Sequence, residues 1–132
     1  MANLHNYHGC CCESDYENAF LSFLEEAGWS YLAGSSLPRD SMRDVLYTDD
    51  MEFFLNRTNP DLTADEIQQI MDTVRLAGAE NDFATLHKVY DWMVNGIQFT
   101  PQAALPRMVN LIEFEDPEKN VFRAVNQFTV EY

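Results

Sequence analysis

"NDFATLHKVYDWMVNGIQFT", residues 81–100, changes its hydrophobic period part-way along, and that change decides the fold class. Phe83, Leu86, Tyr90 and Met93 recur at helical spacing, with Asn81 placed to cap the helix and Gly96 placed to close it. Beyond Gly96 the period becomes two, and "IQFT" alternates as a strand does. Upstream the chain reads as helices and downstream as strands. The expectation is therefore an α+β fold, with N-terminal helices packed on a small, mostly antiparallel C-terminal sheet.

Working upstream, Thr63 and Glu66 form a capping box in front of Ile67, Ile70, Met71 and Val74, which share one helix face. A helix from about Asp49 to Arg57 carries Met51, Phe54 and Leu55 and is ended by the proline of "TNPDLT". Residues 29–41 mix aromatics with Gly, Ser and Pro and read as a short extended segment followed by a loop. In "SDYENAFLSFLEEAG", residues 14–28, Tyr16, Phe20, Phe23, Leu24 and Ala27 form one apolar stripe. Ser14 with Glu17 makes a second capping box there, and Gly28 supplies the stop. Residues 1–13 lack periodicity and read as a flexible lead-in to a single domain over 14–132.

Downstream, Pro101 to Pro106 make a connection, "RMVNLIEFE" (107–115) alternates as a strand, and "DPEKN" (116–120) is a turn. The last strand is "NVFRAVNQFTVEY", residues 120–132, with Val121, Ala124, Phe128 and Val130 along it.

The chain has 22 Asp and Glu against 8 Lys and Arg, a net charge of −14 at pH 7. Nucleic-acid affinity comes largely from cations that displace counterions along the phosphates, and the arginines at 39, 43, 57, 75, 107 and 123 are scattered. Direct DNA binding by this chain is not expected. An acidic surface suits either plain solvation or a basic partner. No secretory leader and no apolar run of bilayer length is present, so the protein is expected to be cytoplasmic with no membrane association.

His5, His8, Cys10, Cys11 and Cys12 are zinc-ligand types, but adjacent cysteines do not converge readily on one ion and only His87 remains to complete a set. No metal site is expected from them. Paired carboxylates such as Glu25 with Glu26 or Asp49 with Asp50 are uninformative in so acidic a chain, since sequence neighbours on a helix diverge. The only lysines, Lys88 and Lys119, are preceded two residues earlier by Leu86 and Pro117, so no Asp-x-Lys or Glu-x-Lys occurs. Neither a phosphate loop nor G-x-G-x-x-G nor G-x-S-x-G is present.

Taken in order, "SDYENAFLSFLEEAGW" (14–29), "NRTNPDLTADEI" (56–67), "NDFATLHKVYDWMVNGIQF" (81–99) and "VNLIEFEDPEKNVFRAVNQFTV" (109–130) resemble the N-terminal portion of the motor and restriction (R) subunit of type I restriction endonucleases. The most diagnostic part is N-x-F-x-x-V-N-Q-F-x-V from Asn120 to Val130. The resemblance implies the front of a PD-(D/E)xK nuclease domain, ending before the metal-binding Asp and the Glu-x-Lys. It carries over one candidate catalytic residue, an acidic side chain on the first helix matched by Glu17, for which the capping box is the competing explanation.

It further implies an R subunit that translocates and cleaves DNA with ATP and Mg²⁺, those cofactors belonging to the parent and not to this chain. The chain alone is then expected to be catalytically inactive, with other subunits of a restriction complex as its partners. The alternative is a stand-alone acidic protein that inhibits a restriction or other nucleic-acid-targeting defence complex as a DNA mimic, with a basic nucleic-acid-handling protein as its partner. An enzyme with some other site is the remaining class.

Overall fold

The structure, a computed structural model, describes residues 12–77 and 83–131. They fall into two compact units. One combines the chain up to Pro38 with Phe122–Thr129, and the other spans Arg39–Val121 with the residues from Val130 onward. The α+β class holds, and the expected helices at 14–28 and 49–57, the helix behind the Thr63–Glu66 capping box and the helix preceding Gly96 are all present.

The first unit contains α1 (Glu13–Glu26), β1 (Ser30–Ala33), a short 3-10 turn at Gly34–Ser36, and the chain's last strand, Arg123–Asn126. The capping box of α1 is displaced by two residues from its expected place. Asp15, not Glu17, closes it, with the Cys12 amide donating to Asp15 Oδ2 at 3.0 Å. That amide, followed by the Cys12 side chain, holds the Asp15 carboxyl below the usual carboxylate range. Because Ser14 lies inside the helix, Glu17 has no capping role. The buried face also differs from the expected stripe. Glu17, Leu21 and Leu24 are half-buried at i, i+4, i+7, while Tyr16, Phe20 and Phe23 point outward.

The second unit holds α2 (Thr48–Thr58), α3 (Ala64–Ala77), α4 (Phe83–Asn95), β2 (Ile97–Phe99) and β3 (Arg107–Val109). The remaining strand, Arg123–Asn126 of the first unit, is β4. The core of the second unit is Phe54, Leu55, Leu62, Ile67, Ile70, Met71, Val74, Ile97 and Val109, with Met51 and Trp92 packed against it. Here α2 and α3 bury the residues that the sequence marks, Met51 only in part. α4 does not: Thr85 is buried and Val89 and Trp92 half-buried, whereas Phe83, Leu86, Tyr90 and Met93 are exposed. The Asn81 cap lies outside the described residues.

The Thr63 box forms as the sequence indicates. The Thr63 amide donates to Glu66 Oε2 at 3.0 Å and the Glu66 amide to Thr63 Oγ1 at 3.2 Å. The Thr63 amide, then that of Gln102, holds the Glu66 carboxyl below the ordinary range near 4.5. A carboxyl held low when folded adds stability above that range and loses it as pH falls through the folded value. Thr63→Ala should cost about 1 kcal/mol in urea unfolding at pH 7. Glu66→Gln should flatten the fall in melting temperature between neutral and acid pH, as followed by circular dichroism, and an unchanged acid limb would remove Glu66 from that role.

β2 and β3 pair antiparallel, with Ile97 opposite Val109 and Phe99 opposite Arg107. Gly96 makes the junction with α4 possible. Its φ is +88°, and a Cβ would lie 2.7 Å from the Val109 carbonyl oxygen. β3 is shorter than the alternation over 107–115 suggests, because Asn120 clasps the chain beyond it. Asn120 Oδ1 accepts from the Glu113 amide at 2.8 Å, and its Nδ2 donates to the Glu113 carbonyl at 2.7 Å. Among the described residues the strands form two pairs, not one sheet. β4 pairs with β1 in parallel, in the register Ser30 to Arg123 through Ala33 to Asn126, so a segment read only as extended gives the last strand its partner.

Candidate functional site

Glu17 reaches the inner face of α1 through the same helical turn that brings Leu21 and Leu24 inward. Its Oε1 accepts a hydrogen bond from Gln127 Nε2 at 3.0 Å, across 110 residues of sequence. Gln127 can present that amide because β4 ends at Asn126 and Gln127 takes a left-handed φ of +51°. One residue earlier, Asn126 Oδ1 accepts from the Tyr31 hydroxyl at 2.8 Å. Trp29 and Phe122 meet edge to face at 5.2 Å just before β1 and β4 begin.

The end of this strand pair is tight at Gly34, where a Cβ would run into the backbone of Asn126 and Gln127. Glu17, Tyr31, Asn126 and Gln127 thus form a polar cluster at the carboxyl end of a parallel strand pair. An anchored, half-buried carboxylate there can accept a proton, orient a water or contribute one ligand to a cation. Among the described residues no three His, Cys, Asp or Glu side chains gather as a metal site would require. Divalent-cation chemistry at Glu17 therefore needs ligands from outside this set, and no step is derived through a metal.

A second polar concavity lies in the other unit, a pocket of about 260 Å³ lined by Thr58, Asn59, Arg107, Met108, Asn110 and Glu113. Arg107 is engaged there. Its Nη1 meets Asp61 Oδ2 at 2.6 Å, and its Nη2 donates to Asn59 Oδ1 at 3.1 Å and Asp61 Oδ1 at 3.3 Å. The guanidinium holds the Asp61 carboxyl below the usual range. With its terminal nitrogens committed to a carboxylate, Arg107 ties the start of β3 to the loop after α2 and does not offer a forked donor to a phosphate.

His5, His8, Cys10 and Cys11 lie outside the described residues, Cys12 is exposed with a free thiol, and His87 is exposed on α4. No described helix is long and apolar enough to cross a membrane. Two features escaped the sequence reading, the pairing of Glu17 with Gln127 and that of Arg107 with Asp61. Only the first had a signal, in that Gln127 belongs to the N-x-F-x-x-V-N-Q-F-x-V pattern.

Residues 12–131 match the family model of the type I restriction enzyme R protein N terminus. Among curated proteins, the chain is 33% identical over 126 residues to the putative type I restriction enzyme MjaIXP endonuclease subunit of Methanocaldococcus jannaschii, covering 88% of this chain and 12% of that protein. It is 26% identical over 132 residues to the type I restriction enzyme HindI endonuclease subunit of Haemophilus influenzae, covering 89% of this chain and 12% of that protein. The chain thus spans 12% of the length of each of these relatives. No solved structure matches.

Proposed function

We propose that this chain, which belongs to the family of the type I restriction enzyme R protein N terminus, supplies the first part of an R subunit's endonuclease domain and is catalytically inactive alone. The parent protein would translocate and cleave DNA with ATP and Mg²⁺, assembled with the other subunits of a restriction complex. The observation that carries this reading is the match over residues 12–131, together with relatives named as endonuclease subunits. Glu17 is the acidic residue this part would contribute, held on the inner face of α1 by Gln127.

The test uses the full-length protein that carries this segment. Glu17→Gln removes a charge but keeps the shape and the contact with Gln127. DNA cleavage should fall on the order of 10- to 100-fold while ATP hydrolysis stays unchanged. Equal cleavage by the variant would leave Glu17 a structural residue. Mg²⁺-dependent cleavage by residues 1–132 alone would defeat the whole reading.

A second reading rests on the net charge of −14. An acidic protein steers toward a basic nucleic-acid channel as DNA does, so a stand-alone inhibitor of a restriction or other defence complex would gain directly from that charge. Salt-sensitive competition with DNA for such a complex would favour this reading over the first.

A further inference from the structure

Tyr16, Phe20 and Phe23 follow one another at i, i+4, i+7 on α1 and are 67%, 62% and 64% exposed. No residue of α1 is fully buried. The stripe is distinct from the face formed by Glu17, Leu21 and Leu24, so α1 presents two ridges and packs with the one that is not aromatic. An aromatic ridge of this kind, unpartnered in water, marks an interaction surface.

The charge around it selects an occupant. α1 carries Glu13, Asp15, Glu17, Glu25 and Glu26 and no lysine or arginine. Glu13 stands three residues before Tyr16 and Glu26 three after Phe23, so carboxylates bracket the stripe at both ends. Glu25 and Glu26 sit where the helix dipole is itself negative, and no basic residue occupies the last turn. A cation placed there relieves both the dipole and the two carboxylates. From Tyr16 to Phe23 the ridge runs about 10 Å, two helical turns, the length over which a helix lays i, i+3, i+4 and i+7 anchors into a partner.

We propose that this outer face of α1 docks a basic amphipathic helix of a partner protein. The partner's apolar side covers Tyr16, Phe20 and Phe23, and its lysines or arginines meet Glu13 and Glu26. A second copy of the chain is disfavoured, because it would set five carboxylates against five on molecules of charge −14. The exposed stripe of α4, with Phe83, Leu86 and Tyr90, makes the natural control. That helix carries one lysine and one aspartate, and its charge selects no occupant.

The test titrates the whole 132-residue chain into a fluorescently labelled Leu/Lys amphipathic helical peptide and reads anisotropy. Saturable binding is expected. The variant Tyr16→Ser/Phe20→Ser/Phe23→Ser keeps every charge and should weaken binding by about tenfold or more. Phe83→Ser/Leu86→Ser should leave it within about twofold. Circular dichroism should show that both variants keep the wild-type helix content, as expected for exposed positions. Wild-type affinity in the α1 variant would reduce the interaction to diffuse charge and overturn the proposal. A wild-type dimer in sedimentation that the α1 variant dissolves would overturn it as well, by assigning the face to a second copy.

Discussion

Gly34→Ala is expected to break the β1–β4 pair. At Gly34 the demand is for space. A Cβ would strike the carbonyl oxygens of Asn126 and Gln127 and lie 2.7 Å from the Gln127 carbonyl carbon. All three atoms are backbone, so no side chain can swing away, and the end of β4 itself must move. Overpacking in a well-packed site costs about 1–3 kcal/mol, and a rigid backbone obstacle puts this substitution at or above the upper end.

The movement falls on Asn126 and Gln127, the residues bonded to Tyr31 and Glu17, so the polar cluster should open together with the strands. Hydrogen exchange reads this directly. Amides of Ser30–Ala33 and Arg123–Asn126 should lose most of their protection, while those buried in α3 keep theirs. Protection at β1 and β4 equal to wild type would mean that the close approach at Gly34 does not exist in solution.

The site's dependence on such a contact explains why so little of it could be read beforehand. Glu17 came into view through a resemblance, with a capping box as its rival explanation. The rival disappears once α1 starts at Glu13 and Asp15 closes the cap. Its actual partner, Gln127, is 110 residues away, and no periodicity reports a pairing at that distance. The parallel partnership of β4 with β1 is hidden for the same reason, since parallel strands require a long crossover and Arg39–Val121 of the second unit lies in that crossover.

Helices were legible as helices and not always as faces. On α3, cap, period and burial agree, because Ile67, Ile70, Met71 and Val74 form one ridge and nothing competes. α1 and α4 each carry two ridges roughly 100° apart, and burial goes to the one that meets neighbouring structure. In both, the more aromatic ridge stays outside: Tyr16, Phe20 and Phe23 on α1, and Phe83, Leu86 and Tyr90 on α4. Hydrophobicity ranks the ridges the other way, so the choice is made by tertiary context. The shortening of β3 has a similar origin, in an asparagine clasp seven residues apart that overrides a good alternating pattern.

α2 tests the face assignment most sharply, because Phe53 and Leu55 flank one core residue and differ in everything but helix. Leu55 is 0% exposed within the cluster that includes Ile67, Ile70 and Val109, whereas Phe53 is 54% exposed beneath the Arg57 guanidinium, 4.6 Å from its ring centre. Leu55→Ala removes buried methyl groups and leaves a cavity that the surrounding side chains fill only in part. The expected cost is about 2–5 kcal/mol, out of the roughly 5–15 kcal/mol that holds a typical domain together. Phe53→Ala removes a larger side chain from water and a surface cation–π contact, for about 1 kcal/mol or less. In urea unfolding the Leu55→Ala midpoint should drop well below that of Phe53→Ala, although the phenylalanine is the bulkier loss. The reverse order would mean that α2 turns its other side to the core and that Leu55 is not the residue that meets Ile67, Ile70 and Val109.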